Sequence, residues 1–314
     1  MSINSIRFSN DNTTIAIALD HTFYIYSIEP FERKFIKDFI NYKITKISSF
    51  GDGSLVAFSV IPISEDESES GEKVYIWDNQ YGEAKAQLLF KQKIENLFLT
   101  KDYLIIIGIT YVEVYDINQK SVILRQDTSY NPNGAGDILF SDDLKVIGIC
   151  GNEPCTIYIS EILSDIPPLV FKAHEHPIIA MKFSPDMSFV STVSEKSTLV
   201  RIFDTITGTN LSAFRRGTMS SKVKAMCFSP DNKFLIVISE SGTVHMFEAD
   251  VRNGNPPDPP RAIAKFKIEK SQYIEATFQN PTDLMIVTSS GYLHIMECSS
   301  KTIKQKSKIF IMSH

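Results

Sequence analysis

The sequence predicts an all-β protein, a seven-bladed β-propeller with four-stranded antiparallel blades, and three observations lead there. An alternating strand that ends in Phe and runs into a polar turn recurs seven times along 314 residues. Each copy is followed by an apolar strand and then by another alternating one. No stretch carries the 3.6-residue period of a convincing amphipathic helix.

The recurring phrase reads "SIRFSND", "ISSFGDG", "NLFLTKD", "DILFSDD", "AMKFSPD", "AMCFSPD" and "EATFQNPTD". Its Phe8, Phe50, Phe98, Phe140, Phe183, Phe228 and Phe278 lie 42 to 50 residues apart. After the turn come apolar strands such as "TIAIAL", "YLIIIGI" and "FLIVIS", and then alternating ones such as "FYIYSI", "VEVYDI" and "VRIFDT". A weaker fourth segment such as "NLSAFR" or "AIAKFKI" closes each copy. Four short β segments per repeat, each copy unable to bury its faces alone, are the signature of propeller blades. Length alone would suggest two domains. Seven such repeats make a single propeller domain over residues 1–314 the expectation.

Composition narrows the function. A formal net charge of −5 and a pI near 5.7 give no field that attracts a polyanion, so no nucleic acid partner is expected and any anion site must be local. The N-terminal "MSINSIRFSND" lacks a basic and apolar leader pattern, and no run approaches the roughly 18 apolar residues of a membrane span, so a cytosolic chain is expected. Cys150, Cys155, Cys227 and Cys298 form no CxxC pair and read as reduced, mostly buried side chains. HExxH, GxSxG and Walker A motifs are absent, and "GAGDIL" at Gly134 lacks the third glycine of a dinucleotide loop. An enzyme is therefore not expected, and neither is a cofactor or a metal. His174 and His176 in "AHEHP" have no further ligand cluster beside them, and His174 reads as structural.

Two segments interrupt the rhythm. "SEDESESGE", residues 64–72 in blade 2, gathers five acidic residues into what reads as a solvated loop. "ADVRNGNPPDPPRA", residues 249–262 in blade 6, is too rich in proline for strand or helix and reads as an exposed, stiff loop.

The candidate site centres on "FRRG". Neighbouring side chains on an extended strand point to opposite sides, so Arg215 and Arg216 are expected to serve two different pockets. Phe214 supplies an apolar anchor and Gly217 a permissive turn. Before the pair stands "STVSEKSTLVRIF" and after it "VISESGTVHMF". Both carry a Ser, a Thr four residues on and then a cation: Ser194, Thr198, Arg201 and Ser239, Thr243, His245. Converging hydroxyls and cations suit a phosphate, whose oxygens accept several charge-assisted hydrogen bonds. The Asp that a WD repeat usually places two residues before the strand Thr is replaced by Lys196 and Ser241, which removes a carboxylate that would repel an anion. By period two, Thr243 and His245 share a face, whereas Thr198 and Arg201 do so only across a bulge.

"FRRG" at 214–217, with these flanks on both sides, resembles the PROPPINs, seven-bladed propellers that bind polyphosphoinositides in autophagy and endolysosomal traffic. The likeness covers the whole chain in repeat number and is sharpest from Ser191 to Phe247. "NPNG" at 131–134 is similar to the family's phrase between blades 3 and 4. The resemblance implies phosphatidylinositol 3-phosphate and phosphatidylinositol 3,5-bisphosphate as ligands. It implies one site of Arg215 with Thr192, Ser194, Ser197, Thr198 and Arg201, and a second of Arg216 with Ser239, Thr243 and His245. The family's membrane-dipping loop corresponds to residues 249–262, where only Val251, Arg252 and Arg261 offer contacts and no Phe, Trp, Leu or Ile is present. It further implies a monomeric adaptor, attached peripherally to autophagosomal, endosomal or vacuolar/lysosomal membranes. A protein partner from the autophagy machinery is expected around blades 2 and 3. The rival reading is a WD-repeat scaffold that binds peptides and no lipid.

Overall fold

Each recurring phrase becomes the first turn of a blade in the computed structural model, which describes residues 2–63, 71–141, 143–218, 220–249 and 258–312. The result is a seven-bladed β-propeller. Blade 1 is β1 (Ser5–Phe8), β2 (Thr14–Ala18), β3 (Thr22–Ser27) and β4 (Glu32–Asp38). Blade 2 is β5 (Tyr42–Phe50), β6 (Leu55–Pro62), β7 (Glu72–Asp78) and β8 (Glu83–Phe90). Blade 3 is β9 (Ile94–Leu99), β10 (Tyr103–Gly108), β11 (Tyr111–Asp116) and β12 (Ser121–Asp127). Blade 4 is β13 (Gly136–Phe140), β14 (Lys145–Cys150), β15 (Thr156–Glu161) and β16 (Leu169–Lys172). Blade 5 is β17 (Ile178–Phe183), β18 (Phe189–Ser194), β19 (Leu199–Asp204) and β20 (Asn210–Arg215). Blade 6 is β21 (Val223–Phe228), β22 (Phe234–Ser239), β23 (Thr243–Glu248) and β24 (Ala264–Lys267). Blade 7 is β25 (Ile274–Phe278), β26 (Asp283–Thr288), β27 (Tyr292–Ser299) and β28 (Thr302–Phe310). In every blade the strands pair antiparallel in chain order. The chain divides into two compact units, Met1–Asp127 with blades 1–3 and Thr128–His314 with blades 4–7.

Burial follows strand position. Second strands such as β2 and β10 are buried throughout, whereas outer strands such as β16 and β24 alternate between half-buried and exposed. The core is a series of layers between blades. Val193, Val200, Ile202 and Phe214 of blade 5 pack on Val223, Phe228, Val237 and Phe247 of blade 6, and the next layer joins blade 6 to blade 7.

The turn after the phrase Phe explains its sequence. Ser9, Ser184 and Ser229 each donate their hydroxyl to Asp11, Asp186 and Asp231 at 2.6–2.7 Å, locking the turn in a side-chain loop. A second recurring turn joins the third and fourth strands. The Oδ1 atoms of Asp78, Asp116 and Asp204 each accept two successive backbone N–H groups, and the turn then passes through a left-handed residue: Gly82 (φ 68°), Lys120 (φ 54°) and Gly208 (φ 70°).

Two expectations need correction. Glu72 is no solvated loop acid: it opens β7, is buried, and accepts from Ile94 N at 2.6 Å and from the Thr45 hydroxyl. Residues 64–70 of that segment lie outside the described residues. Gly217 is not a left-handed turn residue, and a Cβ built on it meets nothing within 4 Å, so neither conformation nor space demands glycine there. Among the described residues there is no helix long and apolar enough to cross a membrane. Cys150, Cys227 and Cys298 are buried free thiols and Cys155 is a half-buried one.

Candidate functional site

Strand register assigns the two arginines to opposite faces of blade 5. Thr192 on β18 faces Arg201 on β19, which faces Ala213 on β20, while Leu199 faces Arg215. Thr192, Ser194, Arg201 and Arg215 therefore share the face turned to blade 4, where Arg201 Nη1 donates to Ala173 O at 2.6 Å. Val193, Val200 and Phe214 fill the other face against blade 6. One residue beyond β20, Arg216 turns to that second side and is only 5% exposed. Its Nε donates to Ser197 O at 2.6 Å and its Nη2 reaches Ser197 Oγ at 3.4 Å. Burial lowers its pKa, yet a guanidinium keeps its charge at neutral pH.

Within the blade-5 set, two hydroxyls are committed to the protein. Thr192 is fully buried and shares a 2.9 Å hydrogen bond with His174 Nε2. Burial, and then the Arg201 charge, push His174 down to about 3, so the imidazole is neutral at physiological pH. Ser197, also fully buried with φ 48°, donates to Ser221 O at 2.9 Å. Thr192 and Ser197 thus position neighbours rather than offer oxygens to solvent. Thr198 stands in the connection before β19, where its carbonyl accepts from Arg216 N at 2.9 Å. The bulge that sequence reasoning required is unnecessary, because the face belongs to Ser194 and Arg201.

Blade 6 repeats the plan. Val237 faces His245, which faces Lys265, and Thr243 faces Lys267, so Ser239, Thr243, His245, Lys265 and Lys267 line one face. Ser239, Ser241 and Thr243 form a hydroxyl chain at 2.8 and 3.3 Å, and Lys267 Nζ donates to Thr243 Oγ1 at 3.3 Å. Burial first, then Lys265, Arg216 and Lys267, lower the His245 pKa to about 4. Hydroxyls and cations thus surround a neutral imidazole with positive charge.

Arg201 and His245 occupy equivalent register positions, and each keeps one buried nitrogen without a hydrogen-bond partner, Arg201 Nε and His245 Nδ1. A buried polar atom left unpaired costs about 1–3 kcal/mol, and at both positions a negatively charged ligand would relieve a charged or polarisable group.

A family model described as PROPPIN matches residues 117–300, more than half of the chain. The chain belongs to the PROPPIN family. Among curated relatives, Autophagy-related protein 18 of Scheffersomyces stipitis is 28% identical over 288 residues, covering 78% of this chain and 50% of its own. Autophagy-related protein 18e of Arabidopsis thaliana is 25% identical over 248 residues, covering 79% of this chain and 66% of its own. The chain thus spans about half to two thirds of the length of these relatives. Among solved structures, Kluyveromyces lactis Hsv2 with complete loop 6CD superposes with a TM-score of 0.80 at 19% identity over 99% of each chain. The complex of KlAtg21 with the coiled coil of AgAtg16 gives 0.81 at 20% identity over 99% of this chain and 100% of that one. At such identities these two speak for the fold.

In this PROPPIN, the end of the blade-6 loop lies against Arg215. Arg215 N donates to Pro260 O at 2.8 Å, Arg215 and Arg261 form a parallel bridge, and Asp258 Oδ1 lies 3.8 Å from the Arg215 guanidinium. Val251 and Arg252 lie outside the described residues. Lys265 and Lys267 lie about twenty residues beyond the Ser/Thr phrase that marks this site in the sequence. The alternating cations of "AKFKI" were the signal, since period two on an outer strand puts both on the His245 face.

Proposed function

We propose that this chain is a phosphoinositide-binding PROPPIN with two headgroup pockets, one per arginine of "FRRG". The observation that carries the reading is the divergence of Arg215 and Arg216 onto opposite faces of blade 5, each beside hydroxyls and further cations. Phosphate oxygens accept charge-assisted hydrogen bonds from such sets, and Arg presents its donors as a fork that fits them. The ligands are phosphatidylinositol 3-phosphate and phosphatidylinositol 3,5-bisphosphate. The propeller acts as a monomeric adaptor held peripherally on autophagic, endosomal or vacuolar membranes. The likeness to a propeller solved with an Atg16 coiled coil supports a partner from the autophagy machinery.

Liposome flotation tests the reading. Wild type floats with vesicles containing 3-phosphorylated inositides and stays down with vesicles lacking them, and Arg215→Thr with Arg216→Thr abolishes flotation while the fold persists. Flotation of the double variant at the wild-type level overturns the assignment. Failure of wild type to float with either vesicle favours a peptide-binding scaffold.

A further inference from the structure

Blade 7 carries the same constellation a third time. "TSSGYLH", residues 288–294, runs parallel in pattern to "SESGTVH", residues 239–245. Both turns close by the same backbone hydrogen bond, Gly242 N to Ser239 O at 2.8 Å and Gly291 N to Thr288 O at 2.9 Å. Register extends the match: Ile286 faces His294, which faces Lys308, as Val237 faces His245 and Lys265. Thr288, His294 and Lys308 therefore hold the places of Ser239, His245 and Lys265.

What differs is the chain delivered from the blade before. Arg216 N and Ile268 N donate to the equivalent carbonyls of Thr198 and Gly242, at 2.9 Å each. The end of blade 5 thus brings a cation toward the blade-6 set, whereas the end of blade 6, one residue past Ile268, brings the anion Glu269 into the blade-7 set. Its Oε1 accepts from Thr288 Oγ1 at 2.7 Å and from His294 Nε2 at 3.0 Å, and Lys308 Nζ approaches Oε2 at 3.2 Å. Thr288 and His294 are buried, and the Glu269 side chain is 25% exposed, so the pocket has a solvent side. The hydrogen bonds it receives hold the Glu269 carboxyl ionised, down to about 2 against the opposing effect of burial.

We propose that blade 7 holds a third phosphate-type anion pocket, occupied by the chain's own Glu269 carboxylate. A hydroxyl, an imidazole and an ammonium converge there on one anion. The identity of the external anion as a phosphate rests on the reading of the blade-5 and blade-6 pockets, while the pocket itself rests on blade 7. A tethered carboxylate competes at an effective concentration that a dilute free anion does not reach, so Glu269 keeps the pocket closed to outside ligands.

The test is made in the Arg215→Thr, Arg216→Thr background, so that its outcome is independent of the other two pockets. Glu269→Ala is titrated with inorganic phosphate, against sodium chloride at matched ionic strength, while the His294 ring resonances are followed by NMR. The expected result is a saturable shift of His294 at an affinity at least about tenfold above that of the Glu269-bearing chain. It should vanish when Lys308→Ala is added. Should the alanine chain not fold, Glu269→Gln keeps the space filled without the charge, and phosphate should displace the amide at a few-fold higher affinity than it displaces the carboxylate. A His294 shift that chloride reproduces, or no gain in either variant, overturns the proposal. A parallel titration with soluble short-chain phosphatidylinositol 3-phosphate separates the sources. A saturable His294 response to it assigns the pocket to headgroups, and a response to inorganic phosphate alone assigns it to the free anion.

Discussion

At the scale of single residues, Asp258 and His245 set how strongly the two pockets attract an anion. Asp258 lies 3.8 Å from Arg215 on an exposed side chain, so it competes weakly with a headgroup for that guanidinium. Asp258→Asn should raise affinity for a soluble short-chain inositide by about two- to threefold, in keeping with exposed pairs worth roughly 0.2–1 kcal/mol. The gain should disappear in Arg215→Ala, and an equal gain there would show that Asp258 acts through the general field. By sequence His245 counts as a cation of the second set. With its pKa lowered to about 4 by burial and by Lys265, Arg216 and Lys267, it is neutral across the range from pH 6 to 8. A bound phosphate raises that value, so protonation strengthens binding only as pH falls from the bound-state pKa toward 4. Calorimetry should find His245→Gln within about twofold of wild type at pH 7.5 and increasingly weaker toward pH 4, the deficit there approaching about tenfold for each pKa unit by which bound phosphate raises the imidazole, one unit of linkage being about 1.4 kcal/mol. A constant ratio at both pH values removes the imidazole from the site. The arginines, hydroxyls and histidine were legible in the sequence because they interrupt an apolar pattern. The depressed pKa was not, because it comes from strands that meet only in the folded blade.

At the scale of the element, the turn between third and fourth strands repeats its chemistry in blades 2, 3 and 5, with one exception among these three. Gly82 and Gly208 take a left-handed φ that only glycine adopts freely, while blade 3 puts Lys120 at φ 54° in the same place. Lys120 is exposed, and its β-carbon suffers the steric penalty of about 1–2 kcal/mol that an L-residue meets in that region. Lys120→Gly should therefore stabilise the unit Met1–Asp127 by about 0.5–1 kcal/mol after the extra freedom of glycine in the unfolded chain is deducted. Denaturant unfolding reads the change, and a midpoint at or below that of wild type refutes it. Strand order and all seven turns were legible from the Phe-centred repeat. Glu72 was misread because charge alone does not reveal that Ile94 N and Thr45 wait across the blade to receive it. The offset of Thr198 from the Arg201 face has a related cause, since a four-residue connection in blade 5 against three in blade 6 emerges only when the strands are paired.

At the scale of the whole molecule, the two proposed headgroup pockets, one on blade 5 and one on blade 6, would turn weak contacts into firm attachment. Once one headgroup is engaged on a membrane, the second contact is effectively intramolecular, and avidity exceeds either affinity by roughly 10² to 10⁴. Arg215→Ala and Arg216→Ala should each lose one of two equivalents of soluble inositide in calorimetry, while each costs far more on liposomes. One equivalent per wild-type chain, or complete loss of soluble binding in either single variant, means that both arginines clamp one ligand. The seven-blade plan was legible because a repeat announces itself seven times. The self-occupied blade-7 set was not, because Glu269 looks like any surface acid until its three donors are seen around it.

The hydrogen bond from Arg215 N to Pro260 O and the bridge from Arg215 to Arg261 tie the C-terminal end of the blade-6 loop to the backbone of the first arginine. Under the proposed membrane attachment, a pull on this loop would load the backbone that carries the first arginine. Curvature, tension and crowding at a membrane would then reach the proposed headgroup pocket as a mechanical input, through a main-chain link that truncating the Arg215 side chain leaves in place.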